Sequence, residues 1–277
     1  MGNQQNRNKR PTRAERRSAK ATLTAFEQGL GDGFESNPQP RKERGSKPSK
    51  PAKPSSHAVM VGIKLDLTKS QKTVGNLIKS RDLLFIQGAA GAGKTMGILA
   101  EFVNQYLADS NKQLIVIRTP VEAGADKIGF LPNGLNDKIE PHFASAKDAL
   151  NLLLGAGKVE TDMNHRIHFK IPNYCLGSTW DNALVLIDEA QQIQPMIMKL
   201  LLERAGKNTK IVVAGDPTQL YVNDTTRNGL SNARSKFIDT DGVPFYPTVD
   251  WFDFPFEDSK TRSELAFTVV HAYNTKR

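Results

Sequence analysis

One cysteine, Cys175, is all that the 277-residue chain contains. That excludes an internal disulfide framework and fits a reducing, cytoplasmic setting. No window approaches the roughly 18 consecutive apolar residues of a membrane-spanning helix, and the N-terminus lacks the apolar stretch of a secretory signal. No membrane partner is expected. Histidine is scarce as well, with five in the chain. The closest pair, His165 and His168, lies in MNHRIHFKI, which reads as a strand. A spacing of three then turns the two rings to opposite faces, so a zinc cluster is not expected there.

Positive charge is concentrated at one end. Residues 1–57 hold 13 basic and 5 acidic side chains, which leaves 25 against 24 for residues 58–277. The same 57 residues carry six of the 15 prolines and few large apolar side chains. A segment of that composition buries too little surface to offset its conformational entropy, so it reads as a disordered basic tail, with a short helix open at 13–26. It is either a solvated extension or an arm that holds nucleic-acid phosphates through counterion release. Residues 58–277 are left as one folded domain.

Within that domain, LLFIQ (83–87), LIVIR (114–118), ALVLID (183–188) and IVVAG (211–215) are short, rich in β-branched residues and bounded by turn residues. They lack polar alternation, the mark of strands buried on both faces of a parallel sheet. Helical patterns at 96–107 and 195–205 separate them, the second opening on Pro195 and closing before Gly206. Strands alternating with helices predict an α/β fold, a mainly parallel sheet flanked by helices. In such sheets ligands bind beyond the carboxyl ends of the strands. The stretch 131–180 is less regular, with a helix expected at 144–154, a turn at Gly155–Lys158, a strand at 166–171, and a position over the cleft. FYPTVDWFDF (245–254) contains either a core strand or aromatic surfaces for stacking bases.

Three motifs fall at those carboxyl ends. GAAGAGKT, comprising Gly88, Ala89, Ala90, Gly91, Ala92, Gly93, Lys94 and Thr95, fits G-x-x-x-x-G-K-[ST] and stands between a strand and a helix, as a phosphate loop requires. Its glycines let successive N–H groups face an anion at a helix N-terminus. Lys94 is placed to reach the β- and γ-phosphates of ATP, and the Thr95 hydroxyl to bind Mg²⁺. Two rival glycine motifs, for dinucleotides and for protein kinases, both fail at Met96. The second motif, Asp188-Glu189, emerges from an apolar strand. Adjacent acids there are costly unless cations or water satisfy them. Asp188 is therefore assigned to Mg²⁺, and Glu189 to the general base that polarises the attacking water. The third, GDPTQL (215–220), follows IVVAG and offers Gln219 as an uncharged sensor of the γ-phosphate or the water.

Taken together, GAAGAGKT, RTPVEAGADKIGFLP (118–132), LGSTWDNALVLIDEAQQ and KIVVAGDPTQL, in this order and spacing, resemble the PhoH-like proteins. Their ATPase domain is similar to the first RecA-like lobe of superfamily 1 helicases. The likeness runs from about Leu67 to the C-terminus. It implies a RecA-like P-loop NTPase and adds three sets of candidates: Gln71 as reader of the adenine edge, Arg118, Thr119 and Pro120 as contacts to single-stranded nucleic acid, and Arg262 in TRSELAFTVVHAY as a phosphate-sensing arginine or merely a helix-solvating one. The chain departs from the family pattern at Leu176-Gly177-Ser178-Thr179, where both arginines of an R-G-R-T block are missing, at Ala125, and at Ser259.

One RecA-like lobe makes half of a helicase-type site, so a neighbouring copy is expected to close it. The resemblance implies a homo-oligomer, hexameric by analogy, in which a trans arginine would contribute. Two functions stay open. One is an ATPase that couples Mg²⁺-dependent hydrolysis to binding or remodelling of single-stranded nucleic acid, RNA ahead of DNA. The other is a nucleotide-gated nucleic-acid or partner-binding protein with little hydrolysis.

Overall fold

Leu83–Gln87, Gln113–Arg118, Ile167–Lys170, Ala183–Asp188, Lys210–Gly215 and Val249–Asp253 form strands β1 to β6. They do so in a computed structural model that describes residues 65–120, 135–175, 177–219, 228–261 and 263–274. All six pair in parallel, in the order β3-β2-β4-β5-β1-β6. β1 and β4 have the bounds that their apolar runs predict, and β2 and β5 gain one residue at the amino end. β6 lies inside the aromatic stretch and extends the sheet beside β1, Leu83 opposite Val249. Phe245 and Tyr246, just before it, remain exposed.

Helices cover both faces. α1 (Lys69–Ser80), α2 (Lys94–Ala108), α3 (Leu135–Leu154) and α4 (Ala156–Asp162) precede β3; α5 (Pro195–Leu202), α6 (Gly229–Phe237) and α7 (Glu264–Asn274) follow β4. Alternate residues of each strand serve opposite layers. Leu184 and Leu186 of β4 pack with Val74, Ile98, Phe102 and Leu150 from α1, α2 and α3. Val185 and Ile187 pack with Met198 and Leu201 of α5 and Leu230 of α6. Both faces are thus apolar, which is why the strand sequences show no polar alternation. Each such side chain gains about 1.5–3 kcal/mol from full burial, whereas short helices are marginal alone, so packing fixes these elements.

Three expectations need correction. The helix expected from residue 144 begins at Leu135 and carries Pro141 inside it. The turn expected at Gly155–Lys158 is the first part of α4, with Gly155 as its N-cap at φ 84°. That seven-residue helix is held by Val159, 1% exposed, and by Asp162, which accepts from Lys158 and from the Tyr106 hydroxyl. In MNHRIHFKI only Ile167–Lys170 is strand. His165 sits in a turn where its N–H donates to Asp162 O and Asn164 has φ 62°, so the opposite-faces reasoning does not apply to it.

β1, β2, β4 and β5 end at Gln87, Arg118, Asp188 and Gly215. Register sets Arg118 beside Asp188 and Gln87 beside Gly215. Four strand ends with chemistry therefore share one edge of the sheet. The basic tail, the VEAG and GFLP segments with Ala125, Leu176 and Arg262 lie outside the described residues.

Candidate functional site

The GAAGAGKT loop leaves β1 and enters α2 at Lys94. Its turn into the helix requires Gly93, which is left-handed at φ 79° and is the N-cap, with no side-chain bond to the first turn. First-turn N–H groups with no side-chain cap, at the positive end of a fifteen-residue helix, are complemented by an anion. Lys94 Nζ reaches back over the loop and donates to Gly88 O at 2.7 Å and Ala89 O at 3.0 Å. Ala92 is fully buried.

Gln71 supports the loop from α1. A capping box forms around Thr68, whose Oγ1 accepts from Gln71 N while Gln71 Oε1 accepts from Thr68 N at 2.9 Å. The Gln71 amide Nε2 donates to Gly93 O at 3.1 Å. Both polar ends of this buried side chain are therefore engaged. One N–H of that amide and one lone pair of its oxygen remain, and Gln71 lines the cleft.

The acids lie opposite. Asp188 ends the fully buried β4 and is 4% exposed. Burial, and then the neighbouring Glu189 charge, hold its carboxyl above the ordinary carboxylate range, against the pull of Arg118 and Lys94. Its Oδ2 accepts from Thr95 Oγ1 at 3.4 Å and stands 3.8 Å from Arg118 Nη1. A hydroxyl and a buried carboxylate so close together are a hard-oxygen pair that fits a divalent cation of the Mg²⁺ type.

Glu189 follows with left-handed backbone, φ 50° and ψ 41°, a sparsely populated conformation for a residue with a side chain. Its Oε1 accepts from Arg118 Nη2 at 3.4 Å and its Oε2 from Gln191 Nε2 at 2.7 Å. Gln191, 1% exposed, also accepts from Asp216 N at 3.1 Å, tying Glu189 to the end of β5. A Cβ at Gly215 would collide with Gln191 Oε1, so any larger residue there would displace the amide that holds Glu189.

These groups share one cleft of about 870 Å³. Of the residues singled out in the sequence, Gln71, Ala90, Gly91, Gly93, Lys94 and Thr95 line it from one side. Arg118, Thr119, Asp188, Glu189 and Gln219 line it from the other. Gln219 is exposed there, its carbonyl accepting from Gln192 Nε2 at 2.5 Å. Gly88 and Ala89 contribute through their carbonyls, and Pro120 does not line the cleft.

The expected segment over the cleft is α3, which brings His142, Ser145, Asp148 and Leu152 to the wall. His142 is kept below its ordinary range, first by burial and then by Arg118. Sequence reasoning missed these residues and Gln191. The only signal for Gln191 was an amide two places after the acids; the α3 residues had none, since they reach the site only through the crossing of the helix.

Two solved structures align with part of the chain. The large terminase of a thermophilic bacteriophage aligns over 76% of this chain and 51% of its own, with a TM-score of 0.48 and 11% identity. The Pyrococcus furiosus Hef helicase domain aligns over 69% and 38%, with a TM-score of 0.40 and 10% identity. Sequence relatives are nearer. A PhoH-like protein of Bacillus subtilis is 35% identical over 177 residues, 64% of this chain and 55% of that protein. Protein PhoH of Escherichia coli K12 is 32% identical over 200 residues, 71% of this chain and 54% of that protein. The chain thus spans about half the length of the curated relatives it matches. The PhoH-like protein family profile covers residues 64–274, which takes in the loop, the acids and every described strand, and the chain belongs to that family.

Proposed function

We propose that the chain binds ATP with Mg²⁺ and hydrolyses it, and that hydrolysis is coupled to binding or remodelling of single-stranded nucleic acid, RNA ahead of DNA, by a homo-oligomer, hexameric by analogy with the family. The observation that carries the reading is the convergence of Lys94, Thr95, Asp188 and Glu189 on one cleft at the carboxyl edge of a parallel sheet.

In this reading the loop N–H groups and Lys94 hold the phosphates. Lys94 exchanges its loop carbonyls for phosphate oxygens, a replacement of neutral acceptors by anionic ones that strengthens each bond. Thr95 and Asp188 would hold Mg²⁺, which supplies charge neutralisation at the phosphates when bound. Glu189 orients water and takes its proton, with Gln191 fixing one carboxylate oxygen. Gln219 lies at the exposed rim, where its amide can contact water or the terminal phosphate. Arg262 remains a candidate for the sensing arginine.

Phosphate release in the presence and absence of single-stranded RNA or DNA tests the proposal. Lys94→Ala and Glu189→Gln are each expected to lower turnover by about 100-fold or more, the scale of removing a positioned electrostatic or acid–base group. Turnover indifferent to both substitutions would refute the mechanism. Hydrolysis indifferent to any single strand would favour a nucleotide-gated binding protein instead.

A further inference from the structure

We propose that Arg118 is a latch on Glu189, released when a single-stranded polyanion takes its guanidinium, so that nucleic-acid binding switches hydrolysis on. The proposal rests on the reading of Glu189 as the base. Parallel register sets Arg118 at the end of β2 next to Asp188 at the end of β4. From there its guanidinium spans three groups: Glu189 Oε1 at 3.4 Å, Asp188 Oδ2 at 3.8 Å, and Ser145 Oγ on α3 at 3.3 Å. It is a shared counter-cation for both acids and a tie across the cleft. With Gln191 on Oε2, each oxygen of Glu189 already has a donor.

Two further features accompany the latch. Glu189 is held in left-handed backbone, and such strain persists where the surroundings impose it, characteristically at switch regions. Beside Arg118, the Thr119 hydroxyl is buried with no hydrogen-bond partner among the described residues. Such a group, next to a charged latch, is open to a partner that binds beside it.

Arg118 is 24% exposed, so its guanidinium is reachable from solvent. Its planar fork matches a phosphate as well as it matches a carboxylate. A bound strand and the two acids would then compete for one cation, and a shared cation makes the two events reciprocally linked.

The test uses the full chain and a fluorescent oligouridylate, with anisotropy read in low salt without nucleotide. Neutralising the latched acid in Glu189→Gln should leave Arg118 held only by Asp188 and Ser145 and tighten binding by about 5-fold or more. Arg118→Met should weaken binding, and adding Glu189→Gln to it should bring no gain. Arg118→Lys, which keeps the charge but not the fork, should retain part of the gain, which a merely structural arginine would not predict. It also serves as the background if Arg118→Met does not fold. Unchanged affinity in Glu189→Gln, or the same gain with Arg118 removed, overturns the latch. Phosphate release on the same samples separates the two ideas: wild-type chain without Lys94-dependent hydrolysis sinks the proposed function, whereas intact hydrolysis with no change of affinity in Glu189→Gln sinks the latch alone.

Discussion

The two edges of the sheet are built on opposite principles. At the amino edge, polar groups are paired with one another. Lys112 Nζ donates to Asn182 Oδ1 at 2.6 Å, and Asn182 Nδ2 to Asp109 Oδ2 at 2.9 Å. Arg166 donates to the carbonyls of Tyr106, Asp109 and Lys112, and its guanidinium lies 3.9 Å from the centroid of the Tyr106 ring. At the carboxyl edge, Asp188 is buried at a cost and the Thr119 hydroxyl has no partner among the described residues, while Glu189 takes the left-handed backbone that at the amino edge falls to asparagines (Asn164, Asn182 and Asn208), which tolerate it. At the first edge these charged and amide side chains find their partners within the fold. The other places a buried acid, a strained backbone and an unpartnered hydroxyl at one cleft, as expected where a site serves a ligand.

Substitution should separate the two edges. Asp188→Asn is expected to cut hydrolysis by about 100-fold or more, because it removes the anion that would hold the metal. It should leave the melting temperature unchanged or raised, since a buried charge is replaced by a neutral isostere. A melting temperature lowered along with activity would mean that the carboxyl edge is structural too.

Arg166→Ala should do the converse. Losing three charge-assisted bonds to carbonyls and the contact with the Tyr106 ring should cost about 1–3 kcal/mol in denaturant unfolding. Turnover well below the melting temperature should stay near wild type. A loss of turnover without a loss of stability would break the comparison.

The smallest effect concerns pH. His168 of β3 is held below its ordinary value of 6.5, first by burial and then by Lys170. As pH falls below about 6.5 the unfolded chain takes up a proton there and the folded chain resists, so stability drops with falling pH in that window and is unaffected by this group above it. His168→Gln should flatten part of the decline in melting temperature between about pH 7.5 and 5.5. An unchanged slope would remove His168 from the account.

Legibility followed the range of the interactions. β1, β2, β4 and β5 could be read almost to the residue because runs such as ALVLID are short, apolar throughout and bounded by turn residues, which together favour a strand buried on both faces. The loop was legible because its glycines, Lys94 and Thr95 act within eight consecutive residues. The first turns of α3 were not legible because Pro141 signals a helix end, yet the helix continues through it. α4 was hidden because Gly155 and Gly157 signal a turn; burial of Val159 and the contacts of Asp162 outweigh that local preference. Gln71 is matched by resemblance to a base edge, and its bonds to Thr68 and Gly93 show it supporting the loop.

By itself the sequence determined four of the six strands, where the phosphate-type loop lies, and that two acids leave the core together, because each depends on residue types over a few consecutive positions. Only the tertiary structure decided that Arg118 faces Glu189, that Gln191 links that acid to β5, and that α3 forms the far wall of the cleft. Those relations join residues 25 or more positions apart. They are fixed by strand register and helix crossing, which the packing of the whole sheet sets and no local window contains.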